Sequence, residues 1–80
     1  VINVTAQYFA VFREQAGKNL EEMATSAATV GELYAEVSAT HGFADSMAHS
    51  KVAINGELAS WTTSLADGDV VLFFPPVAGG

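Results

Sequence analysis

The sequence has no cysteine, few cations and only two prolines, which stand side by side near its end. Without cysteine there can be no disulfide framework and no thiolate metal site, and a reducing, cytoplasmic setting is expected. Arg13, Lys18 and Lys51 are the whole basic complement against nine acids, for a net charge of −6. Nucleic-acid binding draws most of its affinity from cations, so it is excluded as the main activity, as is adhesion to an anionic membrane. No apolar run approaches the ~20 residues of a membrane span, and no charged-then-apolar signal segment opens the chain. Neither His41 nor His49 has a ligand-like partner at metal-binding spacing, so no metal is expected. No glycine-rich phosphate loop is present, so any ATP chemistry belongs to another protein.

What remains is one small domain. At 80 residues, half of them hydrophobic and 15% charged, the chain is globular in composition and long enough for one modest core, but hardly for a deep catalytic cavity as well. "VINVTAQYF" alternates, with Ile2, Val4, Ala6 and Tyr8 on one side, as a half-buried strand does. "REQAGKN" reads as a polar turn through Gly17. "LEEMATS" has helical spacing between Leu20 and Met23, but a second hairpin strand is favoured after a turn of that length. "TVGELYAEVSATHG" is a helix. Thr29 is its N-cap, with Glu32 completing a capping box; Val30, Leu33, Tyr34 and Val37 form one stripe; Gly42 is its left-handed terminator. His41 then sits where a cation complements the helix dipole.

"KVAINGELAS" is a hairpin, because Asn55-Gly56 suits a two-residue turn that needs positive φ at both positions. Asp67-Gly68-Asp69 turns into a last strand, and the two aspartates are read as turn formers, not a cation site. Trp61 can belong to the core or to a surface patch, and Arg13 and Glu14 can pair with each other or meet a partner. Strand, strand, helix, irregular piece, two short strands and strand make an α+β domain, with a mixed sheet packed on one main helix.

In the last strand Val71 and Phe73 share one face, while Val70, Leu72 and Phe74 share the other. One helix covers one face of a sheet. Either loops bury both sets or one set is a partner surface; the second is favoured, with Val70, Leu72 and Phe74 as the interface. Pro75 and Pro76 cannot continue the ladder and favour an extended arm. Val77 and Ala78 keep the arm slim, and Gly79 and Gly80 lack side chains, so a narrow channel in a partner could admit them.

"DGDVVLFFPPVAGG" (67–80) and "FAVFREQAG" (9–17) resemble the small-subunit family of molybdopterin synthase (MoaD-like), sulfur carriers of the ubiquitin-like β-grasp fold. The double proline sets the ending apart from the thiamine-pathway sulfur carrier, which shares the fold and the final Gly-Gly. The resemblance implies that the Gly80 carboxylate is adenylated by an E1-like activating enzyme with ATP and converted to a thiocarboxylate by a sulfur donor protein. It implies insertion of residues 75–79 into the synthase large subunit, and sulfur transfer to cyclic pyranopterin monophosphate in molybdenum cofactor biosynthesis. The chain would bind no cofactor, would not be catalytic alone, and would sit in a heterotetramer with two large subunits. A thiamine-pathway-like sulfur carrier, or a ubiquitin-like modifier joined to lysines by the same activation chemistry, is the alternative, and a plain interaction domain is a third.

Overall fold

The alternating first segment forms strand β1 (Ile2–Tyr8), with Val4, Ala6 and Tyr8 buried. The computed structural model describes residues 1–43 and 50–74. After β1 come helix α1 (Val11–Ala16), strand β2 (Leu20–Thr25), helix α2 (Val30–His41), strands β3 (Lys51–Ile54) and β4 (Glu57–Ala59), and strand β5 (Val70–Phe74). The five strands form one mixed sheet in the order β2-β1-β5-β3-β4. β1 and β5 are parallel, and the other neighbours are antiparallel. This is the β-grasp arrangement expected from the order of elements.

"LEEMATS" is a strand, pairing from Ile2 opposite Thr25 to Gln7 opposite Leu20. Its helical spacing loses to the hairpin because β1 offers a full antiparallel edge. The polar turn expected over 13–19 is instead mostly helix α1, ended by Gly17 at φ 76°. The feature passed over there is Phe12, which is fully buried. One and a half turns of helix swing its ring under the sheet, where it meets Phe43 at a 4.8 Å centroid distance. Strand β1 correspondingly stops at Tyr8, one residue short of Phe9.

α2 follows the predicted stripe: Val30, Leu33, Tyr34 and Val37 are all buried. Thr29 Oγ1 accepts from the Glu32 amide at 3.3 Å. The returning Glu32 carboxylate takes the Ala28 amide at 3.1 Å, one residue earlier than in an ideal capping box. Gly42 ends the helix at φ 70°. Trp61 packs against the core from its rim, with its ring stacked 6.2 Å from that of Phe73 and 5.1 Å from Tyr34. Asn55-Gly56 forms the predicted turn, with φ 52° and 89°.

One backbone position is strained. Ala10 has φ 54° and ψ −122°, and the Phe12 amide donates to the Phe9 carbonyl across it at 3.2 Å. That is the first central position of a type II′ turn, where glycine is preferred. Ala10→Gly is therefore expected to stabilise the fold by about 1 kcal/mol, relief of strain exceeding the added chain entropy. Urea unfolding of the two proteins checks this, and equal or lower stability of the variant would contradict it.

Candidate functional site

The alternation of β5 sends its residues to two different environments. Val71 and Phe73 are fully buried beneath the helix. Val70, Leu72 and Phe74 point the other way and are only half-buried. The faces are therefore as the sequence indicated, with Phe73 in the core and Phe74 outside it.

The sheet register extends this outer set into a row. Leu72 lies beside Gln7 on one side and Ala53 on the other. Gln7 in turn pairs with Leu20, and Ala53 with Leu58. Leu20-Gln7-Leu72-Ala53-Leu58 thus crosses all five strands on the face away from the helix. Leu58 is 77% exposed and Leu20 48%. Leu20, Ala53 and Leu58 were missed in the sequence reading. The two-residue hairpin at Asn55-Gly56 would have located two of them, since it places Ala53 opposite Leu58. Phe74 adds an aromatic ring to the next row, opposite Lys51.

At the same end of the sheet Phe9 is 57% exposed, and its amide donates to the Phe73 carbonyl at 3.1 Å. Phe9 and Phe74 therefore lie together at the end of β5. The residues assigned to the arm (Pro75, Pro76, Val77, Ala78, Gly79 and the terminal Gly80) lie outside the described residues, as does His49. The two aspartates of the last turn are engaged in turn bonding. Asp67 accepts from the Asn3 amide at 2.7 Å, and Asp69 from the Ala66 amide at 2.8 Å. Among the described residues no group of three or more His, Cys, Asp or Glu is placed to hold a metal ion, and no helix is long and apolar enough to cross a membrane.

His41 has a specific partner as well as its place in the last turn of α2. Its Nε2 lies 2.6 Å from Glu21 on β2. The same carboxylate oxygen accepts from the Tyr8 hydroxyl, and Lys18 lies 3.5 Å from the other oxygen. Burial alone would raise the Glu21 carboxyl, but the hydrogen bonds from Tyr8 and His41, with the attraction of His41 and Lys18, hold it below its ordinary range. Burial first, then the hydrogen bond to Glu21 and its negative charge, push the Tyr8 phenol up. The cluster pins the end of α2 to the edge of the sheet. The sequence offered no signal for it, because the three residues come from separate elements.

The profile of the ThiS family matches residues 6–80. The chain is 38% identical over 76 residues to the molybdopterin synthase sulfur carrier subunit of Escherichia coli, covering 91% of this chain and 94% of that one. SAMP1 from Haloferax volcanii, a small archaeal modifier protein, superposes with a TM-score of 0.80 at 30% identity, covering 98% and 99% of the two chains. In the complex of subunits 1 and 2 of the molybdopterin-converting factor from Helicobacter pylori, the matched chain gives a TM-score of 0.68 at 26% identity, covering 99% and 100%.

Two measurements follow from this geometry. Phe73→Asp buries an unpaired carboxylate and is expected to unfold the domain, whereas Phe74→Asp stands beside Lys51 and should cost about 1 kcal/mol. Circular dichroism with urea separates them, and equal losses would refute the assignment of faces. For Glu21 the folded-state pKa is depressed. Its stabilising contribution is therefore complete above the unfolded value near 4.3 and is lost as pH falls through the lower folded value. Glu21→Gln should cost about 1 kcal/mol at pH 7, and stability below about pH 4.5 should fall less steeply in the variant than in the wild type.

Proposed function

The chain belongs to the ThiS family and is a ubiquitin-like sulfur carrier of the ThiS/MoaD type; from that premise we propose that it is the small subunit of a molybdopterin synthase. In this reading it carries sulfur as a thiocarboxylate on Gly80 and hands it to cyclic pyranopterin monophosphate. The observation that carries the reading is the strand β5. Its inner face anchors the core, its outer face belongs to an apolar row, and its end leads directly into "PPVAGG". Support comes also from the similarity to the molybdopterin synthase sulfur carrier subunit of Escherichia coli, and to a chain solved in complex with its second subunit.

The chemistry divides between proteins. A carboxylate is a poor electrophile, so its oxygen first attacks the α-phosphorus of ATP in an E1-like enzyme, and pyrophosphate leaves. Hydrosulfide-level sulfur from a donor then attacks the acyl carbon and AMP leaves, giving a thiocarboxylate; from a persulfide donor the product is an acyl disulfide, which a thiol reduces to the same thiocarboxylate. In the large subunit the thiocarboxylate sulfur attacks a side-chain carbon of the pterin precursor and displaces an oxygen substituent, and hydrolysis of the acyl–sulfur bond returns the carboxylate to Gly80. This is covalent catalysis shared between chains. The arm of Pro75 to Gly79 threads the channel. Val70, Leu72 and Phe74, with Leu58 and Phe9, hold the body against the partner, where burial of each large side chain contributes of order 1 to 2 kcal/mol. The assembly is a cytoplasmic heterotetramer, with small subunits at the two ends of a large-subunit dimer.

A second reading is supported by the similarity to SAMP1. A modifier shares the acyl-adenylate step but ends as an amide on a lysine of another protein. Intact mass after incubation with activating enzyme, ATP and a sulfur donor distinguishes the two. Exchange of one oxygen for sulfur on Gly80, together with product formation when the large subunit is added, supports the carrier. Adducts on other proteins support the modifier. A chain that stays unmodified overturns both. One residue appended after Gly80 should abolish sulfur transfer with unchanged thermal unfolding, and retained transfer would remove the carboxylate from the mechanism.

A further inference from the structure

The few cations of this acidic chain are gathered at one end of it. Arg13 lies on α1, which follows the C-terminal end of β1, and Lys18 lies just before the first residue of β2. Lys51 opens β3 opposite Phe74. The end of β1, the start of β2, the start of β3 and the end of β5 all lie on one edge of the sheet, as the registers require. All three cations therefore lie at the end of the sheet where β5 finishes, and all three are exposed.

Among the described residues two carboxylates share that end, Glu14 and Glu21, and Glu21 is already engaged by Lys18 and His41. The opposite end is different. Asp67 and Asp69 precede β5, Glu57 follows the Asn55-Gly56 turn, Glu32 lies in the first turn of α2, and Glu36 bonds to Thr25 at the far end of β2. Among the described residues that end holds no lysine or arginine, and Glu22 lies mid-strand opposite Thr5. The charges are segregated along the strand direction, although the net charge of the whole would favour a basic partner everywhere.

We propose that Arg13, Lys18 and Lys51 form an electrostatic docking collar that meets carboxylates around the opening of the large subunit that receives the arm. The inference rests on the functional reading above. Six residues span at most about 20 Å when extended, well beyond the Debye length of ~8 Å at physiological ionic strength. With the arm threaded, the collar therefore acts on the partner's rim and not on the reacting carboxylate. Its effect is on encounter: the cationic end is drawn forward and the acidic end is repelled, so the chain arrives arm first. The apolar row then supplies the lasting contact.

The test is stopped-flow association of the thiocarboxylated chain with the large subunit of molybdopterin synthase, across a salt series. The double variant Arg13→Gln/Lys51→Gln should associate on the order of tenfold more slowly at low salt, as expected for loss of steering. The gap should close in about 1 M salt, where the Debye length is ~3 Å. The dissociation rate and the thermal unfolding should be nearly unchanged. Glu57→Gln, at the other end, should not slow association. A double variant with the wild-type rate and salt slope would overturn the collar alone, because the wild type still binds. A rate that rises when the cations are removed would show a basic rim and also overturn it. A wild-type chain that does not bind the large subunit would overturn the functional reading and the collar together, and intact mass of the same sample shows whether thiocarboxylation had occurred.

Discussion

The last strand has to lie between β1 and β3, and most of the molecule is arranged around that requirement. β5 is parallel to β1, so it must enter from the end of the sheet where β1 begins and finish where β1 ends. A strand with two neighbours has no free edge, and its backbone groups are satisfied on both sides. Its register is also firm. A slip of one residue would exchange Phe73 for Phe74 and expose the ring on which Trp61 stacks and against which Tyr34 packs. β5 therefore ends in the middle of the sheet and not at its edge, which fixes the position of Phe74.

The helix is fitted to this sheet by two kinds of contact. The stripe of Val30, Leu33, Tyr34 and Val37 supplies non-directional burial. Direction comes from polar contacts to the edge strand β2: Thr25 donates to Glu36, and Glu21 receives both Tyr8 and His41. These bonds lie at the two ends of β2 and hold the middle and the C-terminal end of α2. The Glu21 cluster places a carboxylate partly out of water only because three groups attend it, and removal of any one would leave the others poorly matched.

Much of this was legible in the sequence, and the reasons are local. Alternation identified β1 and both faces of β5. Thr29, Glu32 and Gly42 marked the ends of α2, and Asn55-Gly56 located the hairpin. Each of these signals is complete within a few residues. What was not legible depends on contacts between distant segments. The short helix α1 has too few residues for a period to emerge, and it exists because Phe12 finds Phe43 and Tyr34 beneath the sheet. The row of Leu20, Gln7, Leu72, Ala53 and Leu58 needs the order of strands, which local pattern does not supply. The partners of Glu21 come from β1, α2 and the turn before β2, and the gathering of cations appears only when the ends of four strands are set side by side.

The same order of strands bears on what kind of protein this is. One strand contributes both to the core and to the outer row of side chains, and residues 75–80 follow it directly in sequence. A sulfur carrier and a protein modifier both need that coupling up to the acyl-adenylate, since both present a carboxylate to an activating enzyme. They diverge at the next nucleophile: a carrier must return to a partner with its sulfur and be released, whereas a modifier remains attached. Up to that point both must dock on an activating enzyme and be released from it, and a row in which Gln7 and Ala53 separate three leucines suits such reversible contact.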